Sequence, residues 1–167
     1  PAIALAALKF VNNGEDPLLL VLSADHLIQN IDAFHQSIKV AEKLAENNKL
    51  VTFGIVPDKA ETGYGYIKAD INNTTDYYKI QSFTEKPNEE DAKKYLDSGN
   101  YLWNSGMFMF KASIYLQELE KFEPEILASC KKSCQTEYKD KDFIRLNNDE
   151  FRQCPEQSID YGVMEHT

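Results

Sequence analysis

Residues 18–22 are five consecutive apolar residues, and the run ends at two small and two polar residues, Ser23, Ala24, Asp25 and His26. An unbroken apolar run of this length predicts a strand buried on both faces, the pattern of a central strand in a parallel sheet. In open α/β sheets, ligands bind beyond the carboxyl ends of such strands. Asp25 is therefore placed where a carboxylate can bind a divalent cation, and the small Ala24 lets a ligand approach the backbone. Asp25 could equally cap the helix that follows, since Asp is a preferred N-cap residue.

The segment that follows this strand predicts a βαβ unit. Residues 31–47 carry apolar side chains at helical spacing, which predicts an amphipathic helix with Asn30 or Asp32 near its cap. Residues 50–56 form a second apolar run, which we expect to be a buried strand. A strand, a helix and a strand joined by short links form a right-handed unit with parallel strands. Residues 1–11 are apolar nearly all round and predict a buried helix. The expected fold class is α/β, with a mixed but mainly parallel sheet flanked by helices.

The middle of the chain predicts a β-hairpin inserted in this sheet. Residues 66–67 start an extended segment and residues 77–83 alternate as a strand does, with a polar turn at 72–76 between them. Two glycines flank Tyr64, a pattern typical of a turn or of close approach by another part of the backbone.

The second half of the chain continues with helices around one more strand. Asn88 is expected to cap a short helix that runs to Leu96. Residues 101–110 are expected to begin as a turn that contains Asn104 and to become an apolar strand from Met107.

Composition excludes several classes of function. The chain has 167 residues, enough for one domain with a sizeable core, and a net charge of −9. It has no cluster of Lys and Arg, which argues against nucleic-acid binding. No apolar run is long enough to span a bilayer, and no signal peptide is visible. The cysteines Cys130, Cys134 and Cys154 lack the pairing of a metal site, so we expect structural free thiols in a reducing, cytoplasmic compartment.

Five short motifs follow one another along the chain: LSADHLI at 22–28, TGYGYI at 62–67, FTEKP at 83–87, YLWNSGMF at 101–108 and SIDYGVMEHT at 158–167. In this order and spacing they resemble the bacterial mannose-1-phosphate guanylyltransferases, or GDP-mannose pyrophosphorylases. Some members of that family are fused to a mannose-6-phosphate isomerase domain. The resemblance runs from the first residues to the last. It implies a Rossmann-like nucleotidyltransferase fold, similar to that of the GT-A glycosyltransferases.

The resemblance implies a role for individual residues. Asp25 resembles the carboxylate that binds the catalytic Mg²⁺, and Lys86 resembles the cation on the phosphate of the sugar, so these two are the expected catalytic residues. Glu85 resembles the acceptor of hydrogen bonds from sugar hydroxyls. Tyr64 and Gly65 resemble a loop whose backbone touches the sugar. Further resemblances place Asn104 and Asp160 at the sugar, with a structural hydrogen bond as the other interpretation of Asp160, and place Ala2, Ser23 and Ala24 near the nucleotide.

The implied reaction joins GTP and mannose 1-phosphate to give GDP-mannose and diphosphate. The nucleophile is a phosphate oxygen that is already ionised at neutral pH, so the site needs no general base. It has to place two anions in line and to neutralise charge at the α-phosphorus. A metal on Asp25 and the cation of Lys86 would supply that charge. Glu85 and Lys86 can diverge at a strand end, one toward hydroxyls and one toward phosphate; otherwise they form a surface ion pair.

Other functions stay open at this point. A metal-dependent glycosyltransferase usually needs a second acidic residue two positions after the first, where this chain has Leu27. A non-catalytic sugar-phosphate-binding regulatory homologue and another sugar-1-phosphate nucleotidyltransferase are the remaining alternatives. The family's phosphate loop is expected before Pro1 and its second metal-binding Asp beyond Thr167. Residues 1–167 are therefore expected to be the central part of one sugar-nucleotide pyrophosphorylase catalytic domain. Alone, they should form no GDP-mannose, bind GTP weakly and tend to associate as homo-oligomers.

Overall fold

A computed structural model describes residues 1–71, 75–136 and 138–167 of the chain. The chain divides into two compact units. One, here called the helical unit, consists of Pro1–Leu19 and Lys111–Thr167. The other, here called the sheet unit, is Leu20–Phe110.

The elements alternate in the α/β manner that the sequence predicts. The helices are α1 (Ala2–Asn12), α2 (Ile31–Glu46), α3 (Glu89–Ser98), α4 (Ala112–Phe122), α5 (Pro124–Cys134) and α6 (Asn148–Arg152), with a π-helical turn at Asp160–Met164. The strands are β1 (Leu18–Val21), β2 (Val51–Ile55), β3 (Tyr66–Ala69), β4 (Ile80–Thr84), β5 (Tyr101–Lys111), β6 (Tyr138–Asp140) and β7 (Phe143–Arg145).

The sheet has five strands in the order β1-β5-β3-β4, with β2 also bonded to β5. The two strands of the predicted βαβ unit, β1 and β2, are thus each bonded to β5 rather than to one another. The registers of β2 on β5, β3 on β4 and β3 on β5 are all antiparallel, so the expectation of a mainly parallel sheet is not met in these pairings. The physical reason is the hairpin: β3 and β4 fold back on each other, and β5 then returns alongside β3 in the opposite direction.

The strands predicted to be buried are only half-buried. Every residue of β1 has intermediate exposure, and Leu22, which the prediction included, is 50% exposed. In β2 the exposure increases toward the carboxyl end, where Ile55 is 47% exposed and Val56 beyond it 77%. In the strand order, β1 and β4 stand at the two ends, and such strands leave part of their surface uncovered.

Strand β5 is longer than predicted because the segment expected to be a turn is extended. It runs unbroken from Tyr101, so Asn104 lies inside the strand. Two residues along β2, from Thr52 to Gly54, span four along β5, from Phe108 back to Asn104, so β5 bulges there. Gly106 lies in this bulge with φ +69°, a conformation that glycine adopts without strain.

The hairpin and the helices of the sheet unit follow the sequence closely. The first strand of the hairpin is β3, and the second begins at Ile80, three residues later than predicted. Part of the predicted polar turn at 72–76 lies outside the described residues. Helix α2 is capped by Asn30, whose side chain accepts a hydrogen bond from the backbone N–H of Ala33 at 3.0 Å. Helix α3 is capped by Asn88 in the same way.

The helical unit has an apolar core formed by α1, α4 and α5. Helix α1, predicted to be buried all round, buries one side through Ala4, Ala7 and Leu8 and leaves Ala2 and Ala6 exposed. The three cysteines are free thiols, as predicted, and Cys130 and Cys154 are buried. The segment at 158–167 forms the π-helical turn, whose Gly162 fits closely against Gln157 and Glu123.

Candidate functional site

The sheet unit brings five of the six predicted sugar-binding residues, all except Asp160, together around Gly65. The backbone N–H of Asn104 donates to the carbonyl oxygen of Gly65 at 2.8 Å. The N–H of Lys86 donates to the carbonyl oxygen of Tyr64 at 3.2 Å. These bonds join the ends of three segments, because Tyr66 in β3 pairs with Thr84 of β4 on one side and with Trp103 of β5 on the other.

A side chain at position 65 would displace the carboxylate of Glu85. A Cβ atom there would overlap Glu85 Oε2 and would lie 3.2 Å from Asn104 Cβ and 3.4 Å from Phe83 Cζ. The Glu85 carboxylate and the Cβ atom of Asn104 therefore lie against the backbone of Gly65. The sequence suggested this close approach from the two glycines around Tyr64, and the structure shows which of them is needed. A Cβ on Gly63 would meet only Glu61 Oε1, at 3.6 Å.

Glu85 and Lys86 occupy different environments although they are adjacent. The Glu85 side chain is 11% exposed, whereas that of Lys86 is 57% exposed. Lys86 Nζ lies 3.7 Å from Glu85 Oε1, so the ion pair that the sequence allowed is present and the two charges have not diverged. Lys86 also has a left-handed backbone, with φ +48°, which is uncommon for a residue with a side chain. This conformation turns the chain between the buried carboxylate and the buried Pro87.

Asn104 is held by groups that the sequence interpretation missed. Its Oδ1 accepts hydrogen bonds from Thr52 Oγ1 at 2.9 Å and from the backbone N–H of Gly106 at 3.3 Å. Thr52 Oγ1 also lies 3.2 Å from the carbonyl oxygen of Met107. The available signal was the hydroxyl of Thr52, since it is a polar residue inside the apolar run 50–56.

The loop before Gly65 is anchored by aromatic packing. The ring of Tyr64 meets that of Trp103 edge-on, with 5.1 Å between centroids and an interplanar angle of 72°. Trp103 belongs to a buried cluster with Tyr66, and its Nε1 has no hydrogen-bond partner among the described residues. Earlier in the loop, the N–H of Glu61 donates to the Tyr66 hydroxyl at 3.0 Å. Lys59, 3.1 Å from the Glu61 carboxylate, lowers the pKa of that carboxyl by hydrogen bonding and charge.

Asp25 lies in an exposed turn just after β1, as predicted. It is not the cap of α2, because Asn30 fills that position. In the part of the chain that the structure describes, no hydrogen bond or ion pair engages the Asp25 side chain, and no three His, Cys, Asp or Glu residues cluster as metal ligands do. A single carboxylate at a strand end fits Mg²⁺, which is commonly bound by one or two carboxylates together with substrate phosphates and water.

Ser23, at the same strand end, lies close to the bulge of β5. A Cβ on Gly106 would be 3.7 Å from Ser23 Oγ, which is ordinary van der Waals distance. The bulge that carries Asn104 therefore also approaches the turn of Ser23, Ala24 and Asp25.

Two predicted site residues, Ala2 and Asp160, belong to the helical unit. Ala2 is exposed at the start of α1 and lines an open cleft of about 230 Å³ together with Tyr115, Ile126 and Gln157. Asp160 is partly exposed at the start of the π-helical turn, and its carbonyl oxygen accepts a hydrogen bond from the Glu165 N–H at 3.0 Å. Their predicted roles at the substrates stay predictions.

The sheet unit thus has the Asp25 carboxylate after β1, Glu85 and Lys86 after β4, and the Asn104 amide within β5. The match to a family identifies the class: residues 1–149 match the family described as Nucleotidyl transferase, and the chain belongs to it. Nucleotidyltransferases of this family generally use a divalent metal. The nucleotidyltransferase fold class that the sequence predicted is confirmed.

The relatives that the chain resembles are more specific. Over its whole length it is 52% identical to a mannose-1-phosphate guanylyltransferase from Klebsiella pneumoniae, of which it spans 36%. It is 53% identical to mannose-1-phosphate guanylyltransferase RfbM from Salmonella typhimurium, of which it spans 35%. It is also 53% identical to the xanthan biosynthesis protein XanB from Xanthomonas campestris pv. campestris, again spanning 35% of that protein. The chain thus spans about a third of the length of these curated relatives.

Two solved structures share the fold. A crystal structure described as mannose-6-phosphate isomerase from Helicobacter pylori superposes with a TM-score of 0.89 and 35% identity, covering 99% of this chain and 63% of that one. A structure described as mannose-1-phosphate geranyltransferase from Thermus thermophilus superposes with a TM-score of 0.82 and 27% identity, covering 99% of this chain and 46% of that one.

None of the helices in the described ranges has the length and apolarity needed to cross a bilayer.

Proposed function

We propose that the protein containing this chain is a mannose-1-phosphate guanylyltransferase, which forms GDP-mannose and diphosphate from GTP and α-D-mannose 1-phosphate. Two relatives at 52% and 53% identity carry that name, and their similarity extends over the whole chain. The structural observation that carries the proposal is that Glu85 and Asn104 both lie against the backbone of Gly65, with Lys86 next to Glu85. A carboxylate, an amide and a lysine are groups that can bind the hydroxyls and the phosphate of a sugar phosphate.

The role proposed for each residue follows from the environment of its side chain. Glu85, whose side chain is only 11% exposed, accepts hydrogen bonds from sugar hydroxyls, while Asn104 makes a further sugar contact. Lys86, which is more exposed, binds the phosphate of mannose 1-phosphate and offsets its charge as it approaches the α-phosphorus of GTP. The backbone of Tyr64 and Gly65 positions the ring, and Asp160 is a further candidate for the sugar.

The proposed nucleophilic attack requires no general base from the protein. The phosphate oxygen of mannose 1-phosphate is already ionised near neutral pH, so no residue has to remove a proton from it. What the residues contribute is the in-line placement of two anions and the neutralisation of their charge. Ala2, Ser23 and Ala24 are proposed to approach the nucleotide. Asp25 would hold Mg²⁺, which when bound supplies charge neutralisation to the phosphates.

The test is GDP-mannose formation by the full-length protein and by its Asp25→Ala variant, with Asp97→Ala as a matched control. Asp97 is an exposed carboxylate on α3 and is not among the predicted site residues. We expect Asp25→Ala to abolish Mg²⁺-dependent turnover without lowering Tm, and Asp97→Ala to behave as the parent protein.

Three outcomes would contradict parts of this proposal. Unchanged turnover and metal dependence in Asp25→Ala would remove Asp25 from the site. Efficient turnover of a different sugar 1-phosphate or nucleotide, with none of mannose 1-phosphate and GTP, would identify another nucleotidyltransferase. Binding of mannose 1-phosphate without turnover in the full-length protein would identify a non-catalytic homologue.

A further inference from the structure

The orientation of the Asn104 side chain can be deduced from its partners. The two donors that face its Oδ1 are the Thr52 hydroxyl at 2.9 Å and the Gly106 backbone N–H at 3.3 Å. A backbone N–H can only donate, so the amide atom that faces Gly106 must be the oxygen. The nitrogen Nδ2 is then on the opposite side of the amide group.

The same argument settles the direction of the Thr52 hydroxyl. Because Asn104 presents an oxygen to it, a proton has to lie between the two oxygens, and only Thr52 can supply that proton. The carbonyl oxygen of Met107, at 3.2 Å, is the more distant acceptor of the same hydroxyl. Thr52 therefore bridges β2 to both ends of the bulge in β5.

The location of this bridge explains why a polar residue lies inside an apolar strand. The ladder between β2 and β5 is interrupted between Thr52 and Gly54, where the bulge leaves backbone groups without their regular partners. A side-chain hydroxyl is long enough to reach across the gap. Within the bulge, the backbone N–H of Met107 is also bonded to a side chain, Ser105 Oγ, at 3.2 Å.

We propose that Thr52 is a positioning residue for sugar-phosphate recognition, acting through Asn104. With Oδ1 held by Thr52 and Gly106, the plane of the Asn104 amide is fixed beside the residues proposed to contact the sugar. This inference rests on the proposed function and adds to it a residue outside the five motifs.

The test compares Thr52→Val with Thr52→Ser in the full-length protein. Valine has nearly the same shape without the hydroxyl, and serine keeps the hydroxyl without the methyl group. Loss of one hydrogen bond to the positioned amide should raise the KM for mannose 1-phosphate about three- to tenfold. The KM for GTP should stay within about twofold, and Thr52→Ser should stay within about twofold of the parent for both substrates. Thr52→Ala, which adds no group that could clash, should reproduce the result of Thr52→Val.

A double-mutant cycle separates positioning from a general structural role. If Thr52 acts through Asn104, then Thr52→Val has no further effect on the KM for mannose 1-phosphate once Asn104→Ala is present. Persistence of the full effect in the Asn104→Ala background would overturn the proposal. So would equal effects of Thr52→Val and Thr52→Ser, or an effect of the same size on GTP.

A readout that needs no turnover distinguishes failure of this inference from failure of the proposed function. The side-chain amide signal of Asn104 can be assigned in a ¹H–¹⁵N spectrum by its absence from Asn104→Ala. It should change position in Thr52→Val and not in Thr52→Ser. An unchanged signal in Thr52→Val would refute the positioning role even in an active enzyme. A full-length protein that forms no GDP-mannose but shows the expected change would retain the positioning and lose the proposed function.

Discussion

The helical unit and the sheet unit differ in where their polar side chains make hydrogen bonds. In the helical unit the described core is apolar apart from Ser133, whose hydroxyl donates to the carbonyl oxygen of Ser129 on the same helix. In the sheet unit no polar residue among those described is fully buried, and partly buried polar side chains bond between strands, as Thr52 is to Asn104. Polar bridges and bulges cost stability unless every group is satisfied, and they persist where they position chemistry.

The two units also differ in where they place a left-handed lysine. In the helical unit, Lys141 has φ +54° in the two-residue turn between β6 and β7, a position where such a φ is usual. In the sheet unit, Lys86 has φ +48° beside a buried carboxylate. Turn geometry explains the first, whereas the contacts of the candidate site maintain the second.

The largest expected effect comes from Gly65→Ala. This variant would show whether the candidate site tolerates displacement of the side chains around Gly65. The new Cβ would overlap Glu85 Oε2, so the carboxylate or the backbone has to move. Displacement on the order of 1 Å should lower kcat/KM for mannose 1-phosphate by about a hundredfold. Steady-state kinetics on the full-length protein measures this, with Gly63→Ala as the control, since its Cβ would make only an ordinary contact. Equal activity of the two variants would show that the site does not depend on the close approach.

The next effect in size compares the two left-handed lysines directly. Lys86→Ala should raise the KM for mannose 1-phosphate roughly ten- to a hundredfold, the loss of a charge-assisted contact of about 1.5–3 kcal/mol. Lys141→Ala removes a lysine of similar backbone conformation from the helical unit and should leave both KM values unchanged. Kinetics with each substrate varied in turn gives the answer. A rise in the KM for GTP as large as that for mannose 1-phosphate would contradict the assignment of Lys86 to the sugar phosphate.

The next prediction concerns the stability of the helical unit at alkaline pH. Burial, and secondarily the neighbouring Cys154, raise the pKa of the Cys130 thiol from 9.0 to about 12. The folded state keeps this proton while the unfolded state loses it, so stability is fully present below about pH 9 and declines as pH rises toward 12. Unfolding titrations at several pH values should therefore show a shallower decline in Cys130→Ala than in the parent protein. Parallel declines would mean that the thiol is accessible in the folded state.

The smallest expected effect is on the free energy of unfolding, and it compares the N-cap residue Asn30 with the candidate metal ligand Asp25. Asn30→Ala should lower the free energy of unfolding by about 1 kcal/mol, because the N–H of Ala33 loses its acceptor. Asp25→Ala should change it by less than about 0.5 kcal/mol, as expected for an exposed surface substitution. Denaturant unfolding of both variants measures the difference. A larger decrease in the free energy of unfolding in Asp25→Ala would indicate that Asp25 has a structural role.

The sequence was most informative where local chemistry determines the structure. The caps at Asn30 and Asn88, the amphipathic face of α2 and the hairpin are confirmed, because each depends on residues close together in the chain. The convergence of residues near Gly65, Glu85 and Asn104 was accessible only through the resemblance to a family, since nothing local connects segments that lie far apart in the sequence.

The parts that could not be predicted depend on pairing between distant strands. The antiparallel registers and the half-buried state of β1 follow from which strand lies beside which, and apolar runs do not record that. The bulge of β5 was interpreted as a turn because Asn104, Ser105 and Gly106 are typical turn residues. The role of Thr52 depends on the same bulge, so it was hidden for the same reason.

The left-handed backbone of Lys86 also limits what its motif can do outside this fold. In a short synthetic peptide the conformation would cost about 1–2 kcal/mol, and only on the order of a tenth of the molecules would adopt it. An antibody raised against such a peptide would therefore mostly recognise a shape that the folded protein does not present. Grafting the motif onto another scaffold would likewise require a strand that supplies the carbonyl group that Tyr64 provides here.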